Sequence, residues 1–186
     1  MKKEFYKKYK LIIFDFDGVI LDSNNIKKKA IKESVAGILP LKKINEFVKY
    51  FIEFSGIPRE KKISIYFSDS NSDEILQRYE KILKKRLSKA MLIPGIKEFL
   101  IFLKKYKIKK IILSGGSEKE IKKIVFDKDL ISYFDQIHGG PLNKEENLKK
   151  ICVTKPILMF GDSKIDYNLA RLYGFDFIFV NGYTSM

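Results

Sequence analysis

Four carboxylates and a hydroxyl stand at three points where an apolar run gives way to glycine. The first is Asp15-Phe16-Asp17-Gly18, directly after Lys10–Phe14. Residues i and i+2 of an extended segment project to the same side, so Asp15 and Asp17 form a pair. Gly18 lets the chain turn sharply behind them. The second is Ser114-Gly115-Gly116-Ser117, which offers a hydroxyl, backbone N–H groups and a helix start to a phosphate oxygen. The third is Gly161-Asp162-Ser163, with Asp166 four residues further on along one helical face.

Carboxylates that converge in one cleft repel one another, and a hard cation resolves the repulsion. Mg²⁺ prefers one or two carboxylates together with water and phosphate oxygens. The pattern therefore predicts Mg²⁺ between Asp15 and Asp162, with a phosphate completing its shell. Each short motif alone also fits a turn or a helix cap; what narrows the reading is their joint occurrence at three strand ends in order.

The elements that must position these residues are legible from periodicity. Lys10–Phe14 reads as a buried strand. Helical spacing follows over 24–37 and again over 41–54, where Leu41, Ile44, Phe47, Val48, Phe51 and Ile52 recur. Lys61–Phe67 reads as a further helix. Asn71, with Glu74 at the third position, is placed to cap a helix through about Ala90. Beyond Pro94-Gly95, helix and strand alternate. Ile96–Tyr106 is a helix and Lys110–Leu113 a strand. Ser117 and Glu120 form a capping box for a helix to about Phe126, and Gln136–His138 is a short strand. Asn143 and Glu146 cap a helix over 144–151. Pro156–Phe160 is a strand, a helix runs to about Tyr173, and Phe175–Val180 is the last strand. Such alternation argues for an α/β fold with a parallel sheet, interrupted by an all-helical block over about 22–92.

Composition removes several function classes. The 186 residues carry 37 Lys plus Arg against 23 Asp plus Glu, a net charge of +14. Only four cations are Arg (Arg59, Arg78, Arg86 and Arg171) and the other 33 are Lys, which disfavours a dedicated nucleic-acid reader and fits a solvated surface. The excess charge can also steer small anions. No apolar run approaches the ~20 residues of a membrane span, and MKKEFYKKYK lacks the pattern of a signal peptide. The single cysteine, Cys152, cannot form an internal disulfide, and a cytoplasmic chain is expected. The single histidine, His138, excludes a multi-histidine metal site. Cys152 reads as a core residue, His138 as a strand-end residue, and the aromatic residues of 47–54 and 66–67 as helix-packing rather than base-stacking groups.

DFDGVILDS (15–23), LSGGS (113–117), the lysine of GGPLNKEEN (139–147) and FGDSKIDYNLA (160–170) closely resemble the four motifs of the haloacid dehalogenase superfamily. The flanking IPGIKEFLIFLKKYKIKKIILSGGS and DLISYFDQIHGG resemble members of phosphoglycolate-phosphatase and β-phosphoglucomutase type. The resemblance implies a Rossmann-like, three-layer core of residues 1–21 and 93–186, about 115 residues, and a helical cap of residues 22–92. It also implies roles. Asp15 is the nucleophile that becomes an aspartyl-phosphate, and Asp17 is the general acid and base. Asp15, the carbonyl of Asp17 and Asp162 hold Mg²⁺. Ser114 and the N–H of Gly115 bind the phosphoryl group, and Lys144 neutralises it. Asp166 is a partner for metal-bound water or for the lysine. Dehalogenating members lack the second carboxylate, so Asp17 favours phosphoryl transfer.

Lys144 is followed by Glu145-Glu146 and lies only 18 residues before Asp162. Lys155-Pro156 mimics its motif, but falls at the start of a strand and so at the far end from the site. Asp22-Ser23 and Ile93–Gly95 are expected hinges between core and cap. The turn Ser55–Arg59 resembles the substrate-specificity loop of the family, which makes Arg59 a candidate contact for a second phosphate. The expected function is thus a Mg²⁺-dependent phosphatase of a small phosphorylated metabolite, acting as monomer or dimer. A sugar phosphomutase of β-phosphoglucomutase type and a non-catalytic binding protein of the same fold are the alternatives.

Overall fold

The computed structural model describes residues 5–54, 57–67, 71–151 and 154–182. Five parallel strands form one sheet in the order β3-β2-β1-β4-β5: β1 (Leu11–Phe14), β2 (Lys109–Ser117), β3 (Gln136–Gly140), β4 (Ile157–Gly161) and β5 (Asp176–Phe179). All four residues of β1 are buried, as a central strand covered on both faces requires. Alternation along the strands divides the core. Ile12, Phe14, Ile112 and Leu158 join one apolar cluster, and Leu11, Ile13, Ile111, Leu113, Ile157 and Met159 join the other.

Helices α5 (Ile96–Leu103) and α6 (Glu118–Asp127) cover the first face through Leu100, Leu103, Ile121 and Val125. Helices α7 (Lys144–Lys150) and α8 (Lys164–Tyr173) cover the second through Leu148, Leu169 and Ala170. This is the expected three-layer α/β architecture. Among the described residues no helix is long and apolar enough to cross a membrane.

Between β1 and α5 run four consecutive helices: α1 (Asn24–Ser34), α2 (Leu41–Glu53), α3 (Arg59–Phe67) and α4 (Ser72–Leu87). Their apolar faces meet at Phe47, which is fully buried and has the rings of Tyr66 and Phe67 at 4.6 and 4.9 Å. These aromatic side chains are helix-packing groups, as their spacing predicts. The chain leaves and rejoins the sheet side by side: Asp22 donates its N–H to the carbonyl of Met91, and Ile93 donates to that of Ile20.

Several local expectations are corrected. Strand β2 does not stop at Leu113 but continues to Ser117, with a register shift against β3 between those residues. Asn71 precedes α4, yet its side chain makes no capping hydrogen bond. The Ser117–Glu120 capping box does not form: Ser117 makes no side-chain cap, and the Glu120 carboxylate is held by Arg59 rather than by the Ser117 N–H. Helix α4 ends at Leu87 rather than near Ala90, and α1 ends at Ser34 rather than at 37. The capping box at Asn143 and Glu146 does form. His138 sits within β3, with Nε2 3.2 Å from Gln136 Oε1. Cys152 and residues 55 and 56 of the Ser55–Arg59 turn lie outside the described residues.

Candidate active site

In an open parallel sheet, ligands bind beyond the carboxyl ends of the strands where the strand order reverses. Here the reversal falls between β1 and β4, and Asp15 and Asp162 follow those two strands directly. Asp15 continues the ladder by donating its N–H to the carbonyl of Phe160 at 2.9 Å. The turn after it depends on Gly18. Its φ is +75°, and a Cβ there would lie 2.2 Å from Asp162 Oδ2. Gly161 is similarly constrained, since its Cβ would lie 2.3 Å from Cβ of Asp166. These two glycines let three carboxylates crowd together.

Oxygens of Asp15, Asp162 and Asp166 lie within 4.8 Å of one another, all in buried residues. One lysine sits among them. Lys144, only 5% exposed, places Nζ 2.7 Å from Asp15 Oδ1 and 2.5 Å from Asp166 Oδ1. Helix α7 presents it there because Asn143 caps the helix start and Asn147 donates to the carbonyls of Gly139 and Leu142. Lys155 is exposed at the start of β4, near Gly174, away from the cluster. The choice of Lys144 over Lys155 agrees with this geometry.

Asp166 has both oxygens engaged, Oδ1 by Lys144 and Oδ2 by the hydroxyl of Ser163 at 2.5 Å. Asp15 spends one oxygen on Lys144, and Asp162 spends Oδ2 on Asn24 Nδ2 at 2.6 Å, so each keeps a second oxygen for a cation. The carboxylate of Asp17 turns away from that cluster and accepts from the hydroxyl of Ser23 and from Lys27 Nζ. Ser114, 1% exposed, accepts from the N–H of Gly116 at 3.0 Å.

Burial and crowding set the protonation. Burial pushes the Asp15 carboxyl well above its ordinary range, and Asp166, Asp162 and Asp17 add to this against the pull of Lys144. Burial, then Asp166, push Asp162 up to about 6. Lys144 is raised, because Asp15 and Asp166 outweigh the cost of burying it. Burial also opposes the ionisation of Asp17, but Lys27 and Ser23 outweigh it and hold that carboxyl below its ordinary range. Three buried carboxyl groups facing one lysine crowd together more oxygens than it can pair, and those oxygen donors suit a hard divalent cation such as Mg²⁺.

A cavity of about 600 Å³ opens from this cluster towards α2 and α3. Asp15, Asp17, Ser114, Gly115, Lys144 and Asp162 line it, as does Arg59. The sequence-derived residues are thus brought together. Arg59, however, is already engaged. Its guanidinium binds Glu120 through two hydrogen bonds of 2.9 and 3.0 Å and lies 3.2 Å from Glu80 and 3.3 Å from Glu60. Among the lining residues that sequence spacing alone does not single out are Asn24 and Lys27 on α1 and Lys62 on α3. Asn24 and Lys27 are one helical step apart, as are Arg59 and Lys62, and that spacing after a marked residue was the available signal.

Fold and site together define an α/β enzyme with an acidic, cation-ready pocket at the switch point of its sheet. The profile of the haloacid dehalogenase-like hydrolases matches residues 12–180, and the chain belongs to that family. Members generally use Mg²⁺, and the buried acidic triad fits that habit. The chain is 24% identical over 188 residues to a phosphorylated carbohydrates phosphatase of Thermotoga maritima, covering 90% of this chain and 83% of that one. Among solved structures, a predicted phosphatase from Clostridium acetobutylicum superposes with a TM-score of 0.76 at 21% identity, covering 95% of this chain and 87% of that one. A predicted phosphoglycolate phosphatase from Haemophilus somnus 129PT gives 0.76 at 19% identity, covering 92% and 85%. At those identities the structural likeness establishes the fold.

Proposed function

We propose that this chain is a Mg²⁺-dependent phosphatase of a small phosphorylated metabolite, working through an aspartyl-phosphate at Asp15. The observation that carries the reading is the seating of Lys144 between Asp15 and Asp166 at the carboxyl end of β1. Segment 22–92 is the cap, with hinges at Asp22-Ser23 and Ile93–Gly95.

In this reading Asp15 attacks phosphorus while the ester P–O bond breaks. Asp17 gives a proton to the leaving oxygen, then takes one from the water that attacks the phosphoenzyme and releases inorganic phosphate. Lys27 holds Asp17 ionised, which is the form needed for the second step. The first step requires that contact to loosen. Ser114 and the N–H of Gly115 hold the phosphoryl oxygens, Lys144 offsets their charge, and Asp166 orients the lysine. Asp15, the carbonyl of Asp17 and Asp162 would hold Mg²⁺, which supplies charge neutralisation and polarisation of a phosphoryl oxygen.

Monoester hydrolysis can need ~10²¹-fold acceleration, about 29 kcal/mol. No single charge supplies that, so positioning, nucleophilic attack and charge neutralisation must combine. A sugar phosphomutase would use the same core residues, but Arg59, the residue that favours it, is spent on Glu120 and Glu80.

The likeness to the Thermotoga phosphatase makes phosphorylated carbohydrates the first class to test. With Mg²⁺, a panel of these esters should release inorganic phosphate, and a chelator should abolish release until Mg²⁺ is restored. Release that ignores chelation would overturn the metal assignment; isomerised ester without free phosphate would replace the phosphatase with a mutase.

A further inference from the structure

Four cations line the cavity below its exposed rim: Lys27, Arg59, Lys62 and Lys144. Three of them face carboxylates. Lys27 is paired with Asp17, Arg59 with Glu120, and Lys144 with Asp15 and Asp166. Lys62 is different. It is 5% exposed, yet among the described residues no carboxylate lies within ion-pair distance. Its Nζ donates to the carbonyl of Phe51 at 2.8 Å and sits 3.7 Å from the centre of the Phe51 ring. An ammonium has three donors, and a backbone carbonyl and a ring face do not discharge it.

A buried ammonium without a counter-ion is costly to the fold. Burial, then the nearby charge of Lys27, push Lys62 down to about 7, although Asp17 and Glu60 pull the other way. Methionine would fill the same space without that cost. The lysine therefore stands where an anion is expected to come from outside the chain. The cavity beside it is large enough for a ligand well beyond a bare phosphate, and Val48, Phe51, Ile52 and Ile57 give it an apolar wall for a carbon skeleton.

We propose that Lys62 is a specificity-determining residue that pairs with a second anionic group, a carboxylate or a second phosphate, on the part of the substrate remote from the phosphoryl group held at Asp15. This rests on the phosphatase reading above. It assigns to Lys62 the contact that the sequence alone suggested for Arg59, whose guanidinium is committed to Glu120 and Glu80.

The test uses the full chain carrying Asp15→Asn, which prevents turnover, with Lys62 kept or replaced as Lys62→Met and Lys62→Gln. Calorimetric titrations in Mg²⁺ compare glucose 6-phosphate with 6-phosphogluconate and glucose 1,6-bisphosphate, and glycerol 3-phosphate with 3-phosphoglycerate. With Lys62 present, an ester bearing the second anion should bind about ten- to a hundredfold tighter than its uncharged counterpart, the scale of one charged hydrogen bond. That preference should vanish in both variants, whose thermal midpoints should match or exceed the parent's. Whether the carboxylate or the bisphosphate is favoured identifies the group. Equal affinities with Lys62 present, no binding of any ester, or a preference that survives both substitutions would overturn the proposal. So would a fall in thermal midpoint in both variants, which would make Lys62 a packing residue. Failure of the phosphatase reading looks different: a Lys62-dependent preference in a chain that, with Asp15 intact, releases no phosphate.

Discussion

Lys144→Met is the most informative single perturbation of the site. It removes the one cation that separates Asp15 from Asp166, at 2.7 and 2.5 Å. At an effective dielectric of ~20 an ion pair at such a distance attracts by about 6 kcal/mol, most of which offsets the cost of burying the charges. Breaking a buried pair by deleting one partner costs about 3–5 kcal/mol. For a chain of this length that is a fall of roughly 6–20 °C in thermal midpoint. Turnover should drop by about 10²–10³-fold, the usual cost of losing one charge-stabilising donor. Mg²⁺ neutralises the same carboxylates, so it should raise the midpoint of the variant more than that of the parent. The assays are thermal unfolding with and without Mg²⁺, and phosphate release. Lys155→Met, exposed at the far end of the sheet, is the control and should stay within about 0.5 kcal/mol. A Lys144→Met protein that melts with the parent and turns over at the parent's rate would show that Lys144 neither holds these carboxylates together nor takes part in turnover.

Two further outcomes follow from single residues. Gly18→Ala should destabilise the protein by about 1–3 kcal/mol, since an alanine at φ +75° is strained and its Cβ would meet Asp162 Oδ2 at 2.2 Å. Displacing Asp162 should also raise the Mg²⁺ concentration for half-maximal activity, read by titration, and an unchanged Mg²⁺ requirement would count against Asp162 as a ligand. Lys62, surrounded by Lys27, Asp17, Glu60 and Arg59, gives a pH signature. Unfolded, it keeps its proton to about 10.5; folded, it loses it near 7. The unfolded chain therefore binds more protons between those values, and stability rises with pH across that window. Denaturant midpoints should show Lys62→Met gaining over the parent at pH 6 and the gap narrowing by pH 9; a gap independent of pH would contradict the burial of the charge.

Sequence spacing carried much of this because strand ends are local features. Asp15 and Asp17 follow an apolar run, as Asp162 does, and topology alone then brings Asp15 and Asp162 to one crevice. Lys144 needed the family resemblance, since nothing in its own neighbourhood distinguishes it from 32 other lysines. What stayed hidden depends on contacts across the chain. Glu120 has the spacing of a capping residue for Ser117, but a guanidinium 61 residues earlier outcompetes the backbone N–H for its carboxylate. Arg59 in turn reads as a free substrate contact until that partner is seen. Lys27 and Asn24 look like a polar helix start, yet they reach Asp17 and Asp162. The extension of β2 to Ser117 at its carboxyl end runs through two glycines, where local propensity argues for a loop and pairing with β3 prevails.

In the proposed function Asp15 is a phosphoryl acceptor in a Mg²⁺ site. The decisive assay follows inorganic phosphate released from phosphorylated carbohydrates in Mg²⁺, by the parent and by Asp15→Asn side by side. Steady release by the parent and none by Asp15→Asn is the expected result, with both proteins unfolding cooperatively. Release by Asp15→Asn at the parent's rate would contradict it.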